Sequence, residues 1–401
     1  MSEIGTISQR NIAYIPSENL LGLTYCRYPT TGAGDAGNNP TGVIEWETLR
    51  SAQMPETRWF SIETSAGVYD FTTLDALITF QKSSGKHFYF GMYGTPSFYA
   101  GSTPNPTYAD NVTPGRWGFN GENANPTSLA VVANFVTAVV NRYNKVGGAW
   151  FDTYGATYGK GIDAWETWNE PRDATGNGNT TGSNSVGFWW GTLAQLVDVC
   201  ATQYTTIKSL DSSIVVTTPG HDDDTTAMNF ANTVGAVTLM QGKDTCDCYA
   251  WHMYKRNPVF YNVQGYLEDM IFSTSGVKAA KRISENYYDM KPIWCSESGF
   301  GNSGDTAMNY FYSQPASYRY NFMLRRLCIL ACFDVKYDAM WHWGVTGGAT
   351  GYSGDMQTDT NGVIKARTDF KNNVIGKTIT GYDISDAQIV LYFSDATTYT
   401  V

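Results

Sequence analysis

Residues 163–171 form an apolar, strand-prone segment that ends abruptly in an amide, a carboxylate and a proline. Its tryptophan and threonine side chains favour the pleated surface of a strand. Pro171 has no backbone N–H for a ladder and disfavours a helical conformation in the residue before it, so the strand must end near Glu170. The segment therefore predicts a carboxylate at the carboxyl end of a strand. From this stretch alone, an N-cap or turn carboxylate is the alternative.

A second segment, 291–301, repeats this format. It is a short apolar strand that leads into Glu297 and then into glycines, and Glu297 follows Glu170 by 127 residues. In a parallel α/β barrel the carboxyl ends of the strands carry the chemistry, and each strand–helix unit takes roughly 30 to 45 residues. About three units therefore separate the two glutamates. At the mouths of different strands they can face each other across one cleft, as two-carboxylate sugar chemistry requires.

These motifs resemble those of the clan A glycoside hydrolases, whose acid/base follows strand four in an Asn-Glu-Pro motif and whose nucleophile follows strand seven. Within the clan the chain is most similar to family 39, the xylosidase and iduronidase group, over most of residues 20–375. The resemblance implies a (β/α)8 TIM barrel and a retaining glycoside hydrolase. Glu170 would be its acid/base and Glu297 its nucleophile. No metal ion and no cofactor is implied.

The resemblance also assigns polar residues to substrate binding. Arg58, in strand two, would support the nucleophile, since a guanidinium lowers the pKa of a neighbouring carboxyl; a solvated strand-end arginine is the alternative. Asn169 would bind a sugar 2-hydroxyl, unless it only forms a turn. His252 and Tyr254 lie two apart on one face of strand six. Tyr254 would contact the nucleophile and His252 would line the sugar subsite, unless His252 is a satisfied core histidine.

Aromatic residues at strand ends are further candidates for sugar contacts. Trp341 matches the clan's strand-eight tryptophan, a flat apolar floor for a sugar ring, and Trp343 competes for the same role. Tyr93 and Phe98 lie at the end of strand three, where we expect one of them near the sugar. Ordinary packing is the alternative for each of these aromatic residues.

Hydrophobic periodicity predicts alternating strands and helices along most of the chain. We place strands at 20–25, 56–62, 87–98, from 164, at 214–218, 248–254, within 291–301 and at 337–343, and helices at 45–53, 74–85, 129–143, before 210, at 276–289 and 318–333. Residues 389–399 are typical of a hairpin with no following helix. We therefore predict an α/β fold with a catalytic (β/α)8 barrel in residues 1–375. A small β hairpin, or the start of a β element, would follow in residues 376–401.

Three features depart from family 39. Phe60 stands where that family tends to have a histidine after the strand-two arginine, and Ser296 precedes the nucleophile. The residues after 375 are also too few to build the β-sandwich that family 39 enzymes carry beside the barrel.

The composition restricts the classes of molecule that this protein is expected to bind. Only 16% of the residues are charged, 14% are aromatic and the formal net charge is −10. These values exclude a disordered chain and disfavour nucleic acid and other polyanions. A neutral or weakly charged polysaccharide or oligosaccharide is the expected partner. The four histidines are scattered and no Cys-x-x-Cys pair occurs, so we predict no metal site. The sequence leaves the oligomeric state open.

The setting is predicted from targeting signals and loop composition. Residues 1–5 have neither a basic nor an apolar signal region, and no apolar run approaches the roughly 20 residues of a membrane span. The loops, including long ones at 101–126 and 174–185, are rich in Gly, Asn, Thr and Tyr. We therefore expect an extracellular or virion-associated polysaccharide depolymerase. Two alternatives are a non-catalytic carbohydrate-binding or phage adhesion module and a retaining transglycosylase.

Overall fold

A computed structural model of the 401-residue chain describes residues 3–6, 13–14, 21–24, 48–51, 57–83, 85–101, 124–171, 189, 193–220, 244–254, 277, 280, 281, 284, 291–299, 314–341, 361–384 and 388–401. These residues divide into two compact units. The central unit is Leu49–Trp251, and the discontinuous unit comprises Met1–Thr48 and His252–Val401.

Strands and helices alternate along much of the described chain, with several short strands before the first helix. The strands are β1 Glu3–Thr6, β2 Ala13–Tyr14, β3 Leu21–Thr24, β4 Thr48–Arg50, β5 Glu63–Ser65, β6 Val68–Tyr69, β7 His87–Gly91, β8 Ala164–Glu166, β9 Val215–Thr217, β10 Tyr249–Tyr254, β11 Ile293–Gly299, β12 Val335–Trp341, β13 Thr378–Ile384, β14 Ile389–Phe393 and β15 Thr398–Thr400. The helices are α1 Trp59–Ile62, α2 Thr72–Ser83, α3 Leu129–Asn144, α4 Ala149–Tyr158, α5 Leu193–Leu210, α6 Ala316–Cys332 and α7 Val363–Asn373.

In the central unit, β7, β8 and β9 are parallel neighbours. Gly91 pairs with Glu166, and Glu166 pairs with Thr217. Helices α2 and α3 bury one face each, because their apolar residues recur at three- and four-residue spacing. Parallel pairing with a helix between successive strands directs the carboxyl ends of these strands to one edge of the sheet.

The discontinuous unit contains a parallel group and a small antiparallel sheet. β11 pairs with β12, and β12 pairs with β3, both in parallel. Strands β13, β14 and β15 form an antiparallel meander, which confirms the predicted hairpin. The chain's first strands join it, since β1 and β2 both pair with β13, which the sequence pattern did not indicate. The boundary at residue 375 between barrel and appendage stays a prediction.

The prediction around strand two is wrong. Residues 48–50 form β4 instead of part of a helix, and the expected strand at 56–62 contains the short helix α1. Trp59 and Ile62 are both buried and lie three apart, so a helical turn buries them together. The Trp59 indole donates to the Glu63 carboxylate at 2.6 Å, which closes this turn. A short apolar run satisfies either pattern, and here the indole–carboxylate contact favours the helix.

Most of the other described elements overlap the predicted ones, although β7 ends at Gly91, seven residues before the predicted end at 98. Helices α4 and α7 and the short strands β5 and β6 were not predicted. Strand β8 ends at Glu166, earlier than expected, and the chain then continues through a single parallel bridge between Asn169 and Gly220. Closure of the strands into an eight-stranded barrel stays a prediction. No helix in the described part of the chain combines the length and apolar character that a membrane crossing needs.

Asp163 joins three elements at the start of β8. Its carboxylate lies 2.5 Å from Lys82 Nζ at the end of α2, and accepts a 2.8 Å hydrogen bond from the Phe88 backbone in β7. His87 Nδ1 is 3.3 Å away. Burial acts to raise the pKa of Asp163, but His87, Lys82 and the Phe88 amide outweigh it and hold the pKa below its ordinary 3.8.

We expect Asp163→Asn to lower the free energy of unfolding at pH 7 by about 2–3 kcal/mol, because it leaves the buried Lys82 ammonium without its carboxylate. The folded-state pKa is depressed, so the stabilisation is present above the unfolded-state value and is lost as pH falls below 3.8. Urea unfolding at pH 7 and at pH 3 measures both effects. The control is Asp152→Asn, because Asp152 is exposed and accepts a hydrogen bond from the Gly147 amide, which the asparagine oxygen can also accept. An equal loss at both pH values would contradict this assignment.

Candidate active site

Glu170 is held in place by the backbone that follows β8. Its N–H donates to the Gly220 carbonyl at 3.0 Å, and the Gly220 N–H donates to the Trp168 carbonyl at 3.2 Å. Glu170 is only partly buried, whereas the neighbouring Asn169 is completely buried. The two hydrogen bonds fix this segment against the loop after β9. The backbone that carries the Glu170 carboxylate is therefore held in place just beyond the sheet.

The backbone of Glu170 is strained. Its φ is +36°, in the left-handed region that L-residues other than Asn and Asp seldom adopt. Such a conformation costs roughly 1–2 kcal/mol, and it persists only where the surrounding structure imposes it. Strained residues of this kind cluster at active sites, which makes Glu170 a functional candidate on backbone geometry as well as on sequence.

Arg58 is buried, so the solvated alternative for this residue is wrong. Its guanidinium carbon lies 5.0 Å from the centre of the Tyr93 ring and 5.7 Å from that of Phe60. Both distances allow cation–π attraction. The Tyr93 ring in turn meets Trp168 edge-on, at 6.5 Å between centroids. A guanidinium and three aromatic rings thus form one packed layer next to the Asn169–Glu170 segment.

Phe60 packs close to a glycine. Gly94 has φ +87°, and a Cβ built on it would lie 2.8 Å from the Phe60 ring. Both the conformation and the space require glycine at position 94. The departure from the family pattern at Phe60 is therefore accommodated by the backbone that follows β7.

Phe98 has a different environment from Tyr93. It lies in a 3₁₀ turn, Ser97–Tyr99, and its side chain is 43% exposed, whereas Tyr93 is buried. The neighbouring Tyr99 donates its hydroxyl to Glu63 at 3.0 Å, which anchors the turn. Of the two aromatic candidates at the end of β7, only Phe98 offers an open ring face to a ligand.

Glu297 lies in β11 of the discontinuous unit and is 2% exposed. His252 is fully buried, and its Nδ1 lies 4.0 Å from Glu297 Oε2. This distance is too long for a hydrogen bond, so these two atoms are close neighbours without one between them. The structure brings these two predicted residues together.

A β-bulge surrounds Glu297. Cys295 pairs with Asp338 and Ser298 pairs with Met340, so three steps along β11 match two steps along β12. The extra residue breaks the alternation of side chains and turns one of them away from its regular direction. Bulges are frequent beside active sites, where they re-aim a functional side chain.

The remaining candidates are described only in part. Tyr254 ends β10 and Trp341 ends β12, where the Trp341 backbone pairs with Thr24. The side chains of both lie outside the description, and Trp343 lies outside the described residues altogether. Within either unit, the described residues form no group of three carboxylate, imidazole or thiolate side chains close enough to share a metal ion.

Sequence reasoning missed one group of polar residues. Ser298, Asp338 and Arg326 are all buried, and both Ser298 and Arg326 contact Asp338 Oδ1. A signal was available for Asp338, because a charged residue within the apolar strand-eight run is unusual. Arg326 could not be paired with it from the sequence, since a helix and a strand meet there only in the fold.

Comparison with known proteins gives structural likeness alone. No protein-family model matches the sequence, and no curated protein matches it. A glucosidase from Croceicoccus marinus is similar over 97% of this chain and 83% of its own, with a TM-score of 0.57 and 14% identity. A family 39 glycoside hydrolase from Bacteroides cellulosilyticus WH2 matches over 96% and 70%, with a TM-score of 0.55 and 16% identity.

A family 44 xyloglucanase from Paenibacillus polymyxa matches over 97% of this chain and 82% of its own, with a TM-score of 0.50 and 13% identity. These proteins are clan A glycoside hydrolases with (β/α)8 barrels. The fold of this chain is thus similar to that of these clan A enzymes, while closure of its own strands into a barrel stays a prediction. At such low identities the likeness is one of fold, and the chemistry must be argued from the residues.

The strain at Glu170 can be measured by comparing two substitutions. We expect Glu170→Gly to be about 0.5–1 kcal/mol more stable than Glu170→Ala. Glycine relieves the left-handed strain, and its larger unfolded-state entropy offsets only part of the gain. Urea unfolding of both variants provides the measurement. At the exposed helical residue Thr153 of α4 the same pair should show the opposite order, with alanine more stable by about 1 kcal/mol. A less stable Glu170→Gly would contradict the strained conformation.

Proposed function

We propose that this chain is a retaining glycoside hydrolase that cleaves β-linked polysaccharide, with Glu170 as general acid/base and Glu297 as nucleophile. One observation carries the proposal. In a chain whose fold is similar to that of glycoside hydrolases, two glutamates lie at irregular points of parallel strands. Glu170 has a positive φ beyond β8, and Glu297 lies in the bulge of β11. Both irregularities cost stability and favour a functional side chain.

The chemistry needs two steps and no further reactant than water. In the first step Glu297 attacks the anomeric carbon while Glu170 gives its proton to the glycosidic oxygen, which leaves with the bond's electron pair. A glycosyl ester on Glu297 results. In the second step Glu170 removes a proton from water, whose oxygen displaces Glu297 from the anomeric carbon. Two inversions leave the anomeric configuration unchanged.

The environments of the two glutamates suit these different roles. Glu297 is almost completely buried next to the His252 imidazole, as a positioned nucleophile shielded from bulk water would be. Glu170 is partly exposed, and its side chain must reach both a leaving group and incoming water. Its fixed backbone limits the directions in which the carboxyl group can point.

A sugar polymer is the substrate that the remaining features favour. Similar structures are named a glucosidase and a xyloglucanase, which supports a neutral glycan. The net charge of −10 opposes binding of strongly acidic polymers. Phe98 offers an exposed ring on which a sugar can stack.

Two other functions compete with this proposal. A non-catalytic carbohydrate-binding or adhesion module would bind the same glycans but would not need two glutamates at strained or bulged positions. A retaining transglycosylase would use the same two residues and differ only in the acceptor, which would be a sugar instead of water. Product analysis separates all three.

We expect Glu170→Gln to lower the rate on polysaccharide by about 10²- to 10⁴-fold, since a poor leaving group needs a proton. On a 2,4-dinitrophenyl glycoside of the same sugar, the first step should keep its rate, because that leaving group departs unprotonated. The second substrate thus serves as a control for folding and binding. Proton NMR of the first product should show the β anomer.

Three results would contradict the assignment. Near-full activity of Glu170→Gln on polysaccharide would exclude Glu170 as the acid. An α anomer as the first product would exclude the retaining mechanism. Binding of glycans without any bond cleavage by the unmodified protein would favour the adhesion module.

We further propose that the protein is a virion-borne or otherwise exported depolymerase that cuts a bacterial surface polysaccharide internally. The 40 glycines and 27 tyrosines, with abundant Asn and Thr in the loops, support this setting. A hydrogen-bonding, weakly charged surface of this kind suits a protein that works among hydrated glycans.

Internal cutting predicts a particular product profile on capsule or exopolysaccharide. Oligosaccharide repeats should appear early, while the mean length of the polymer falls quickly. Size-exclusion chromatography with mass spectrometry follows both quantities. Release of monosaccharide from chain ends alone would refute internal cutting and leave the two-glutamate mechanism untouched.

A further inference from the structure

The residue after Glu297 makes the contacts that hold the bulge to its neighbouring strand. Ser298 Oγ lies 2.9 Å from Asp338 Oδ1 and 3.0 Å from the Ala339 carbonyl, both in β12. Both oxygens are acceptors, so the single hydroxyl proton is donated to one of them or shared. Ser298 and Asp338 are almost completely buried, so water does not compete for these contacts.

The contacts fall at the point where the backbone ladder is interrupted. The register shift lies between Cys295 and Ser298, on either side of Glu297. A register shift interrupts the regular series of ladder hydrogen bonds between two strands. The Ser298 hydroxyl supplies a cross-strand link at this shift, immediately after Glu297.

Asp338 is itself fixed by a buried ion pair. Arg326 of α6 donates to Asp338 Oδ1 at 2.8 Å, and both side chains are at most 5% exposed. Burial first, and the charge of Asp338 second, raise the pKa of the Cys295 thiol well above its ordinary value, so this neighbour stays neutral. A buried ion pair seldom stabilises a fold more than apolar packing would, so its presence here calls for another role.

Resting on the proposed function, we infer that Ser298 and Asp338 are positioning residues for Glu297. Arg326 fixes the Asp338 carboxylate, Asp338 orients the Ser298 hydroxyl, and Ser298 fixes the bulge so that the Glu297 carboxylate points at the anomeric carbon. A displacement of the order of 1 Å at such a site lowers a rate by about 10²-fold.

The test measures attack by Glu297 alone. The probes are 2,4-dinitrophenyl 2-deoxy-2-fluoro-β-glucoside and the corresponding xyloside and galactoside. They form the glycosyl ester without protonation of the leaving group, and mass spectrometry locates the label. We expect Ser298→Ala to lower the maximal labelling rate about 10- to 100-fold at unchanged probe affinity. Ser298→Thr, which restores the hydroxyl, should recover most of that rate.

The matched control is Ser284→Ala. Ser284 donates to the Lys291 carbonyl at 2.6 Å, two residues before β11, so its loss removes a similar hydrogen bond at the other end of the same strand. We expect similar shifts in urea midpoint for both alanine variants but an unchanged labelling rate for Ser284→Ala. A merely structural role of Ser298 would instead make the two variants label alike.

A double-mutant cycle tests the role of Asp338. Asp338→Asn keeps an oxygen that can accept from Ser298 but removes the charge that pairs with Arg326. If Asp338 acts through Ser298, the double variant should label no more slowly than the slower single variant. Additive losses would remove Asp338 from the inference.

The labelling experiment distinguishes failure of the positioning role from failure of the nucleophile assignment. A Ser298→Ala variant that labels as fast as the unmodified protein overturns the positioning role and leaves the proposed function standing. An unmodified protein that acquires no label on Glu297 from any of the three probes overturns the nucleophile assignment, and the positioning role with it.

Discussion

A parallel ladder fixes the direction of every side chain along it, because its hydrogen bonds are evenly spaced and its side chains alternate between two faces. A carboxylate can be aimed away from those faces only where the ladder is broken. Glu170 and Glu297 illustrate two ways of breaking it. The chain beyond β8 turns through a left-handed residue that backbone hydrogen bonds to Gly220 hold in place. Strand β11 instead shifts its register against β12 between Cys295 and Ser298, and an opposite shift between Ile293 and Trp294 offsets it.

The left-handed turn at Glu170 and the bulge at Glu297 depart from regular strand structure in different ways. The left-handed turn stores conformational strain in one residue, while the bulge interrupts the regular ladder next to a buried serine, aspartate and arginine that contact one another. Buried charges appear again at Arg58, which packs against aromatic rings. In each case the supporting contacts are polar or electrostatic, whereas the surrounding strands and helices are held by apolar burial.

The sequence predicted the elements whose signal is local. Helices with apolar residues at three- and four-residue spacing and the C-terminal hairpin have such signals, and the likeness of fold to clan A followed from the two glutamate motifs. The strand ends were less accurate, because β8 ends at Glu166 and β11 continues past Glu297. Helix α1 was misread because a four-residue apolar run fits both periods, and the Trp59–Glu63 contact decides between them. The bulge, the positive φ of Glu170 and the Arg326–Asp338 pair leave no local pattern, because each depends on residues distant in the chain.

The pairing of β1 with β13 has a consequence for how the protein is made. Glu3 lies opposite Ile384, so β1 can pair with β13 only after the roughly 380 residues between them have been synthesised. At the usual 5–20 residues per second of translation, this interval is about 20 to 75 s. During that time β1 presents an unpaired edge of the kind that associates with other chains. Leu49–Trp251, by contrast, is continuous in sequence and complete well before the last strands emerge from the ribosome.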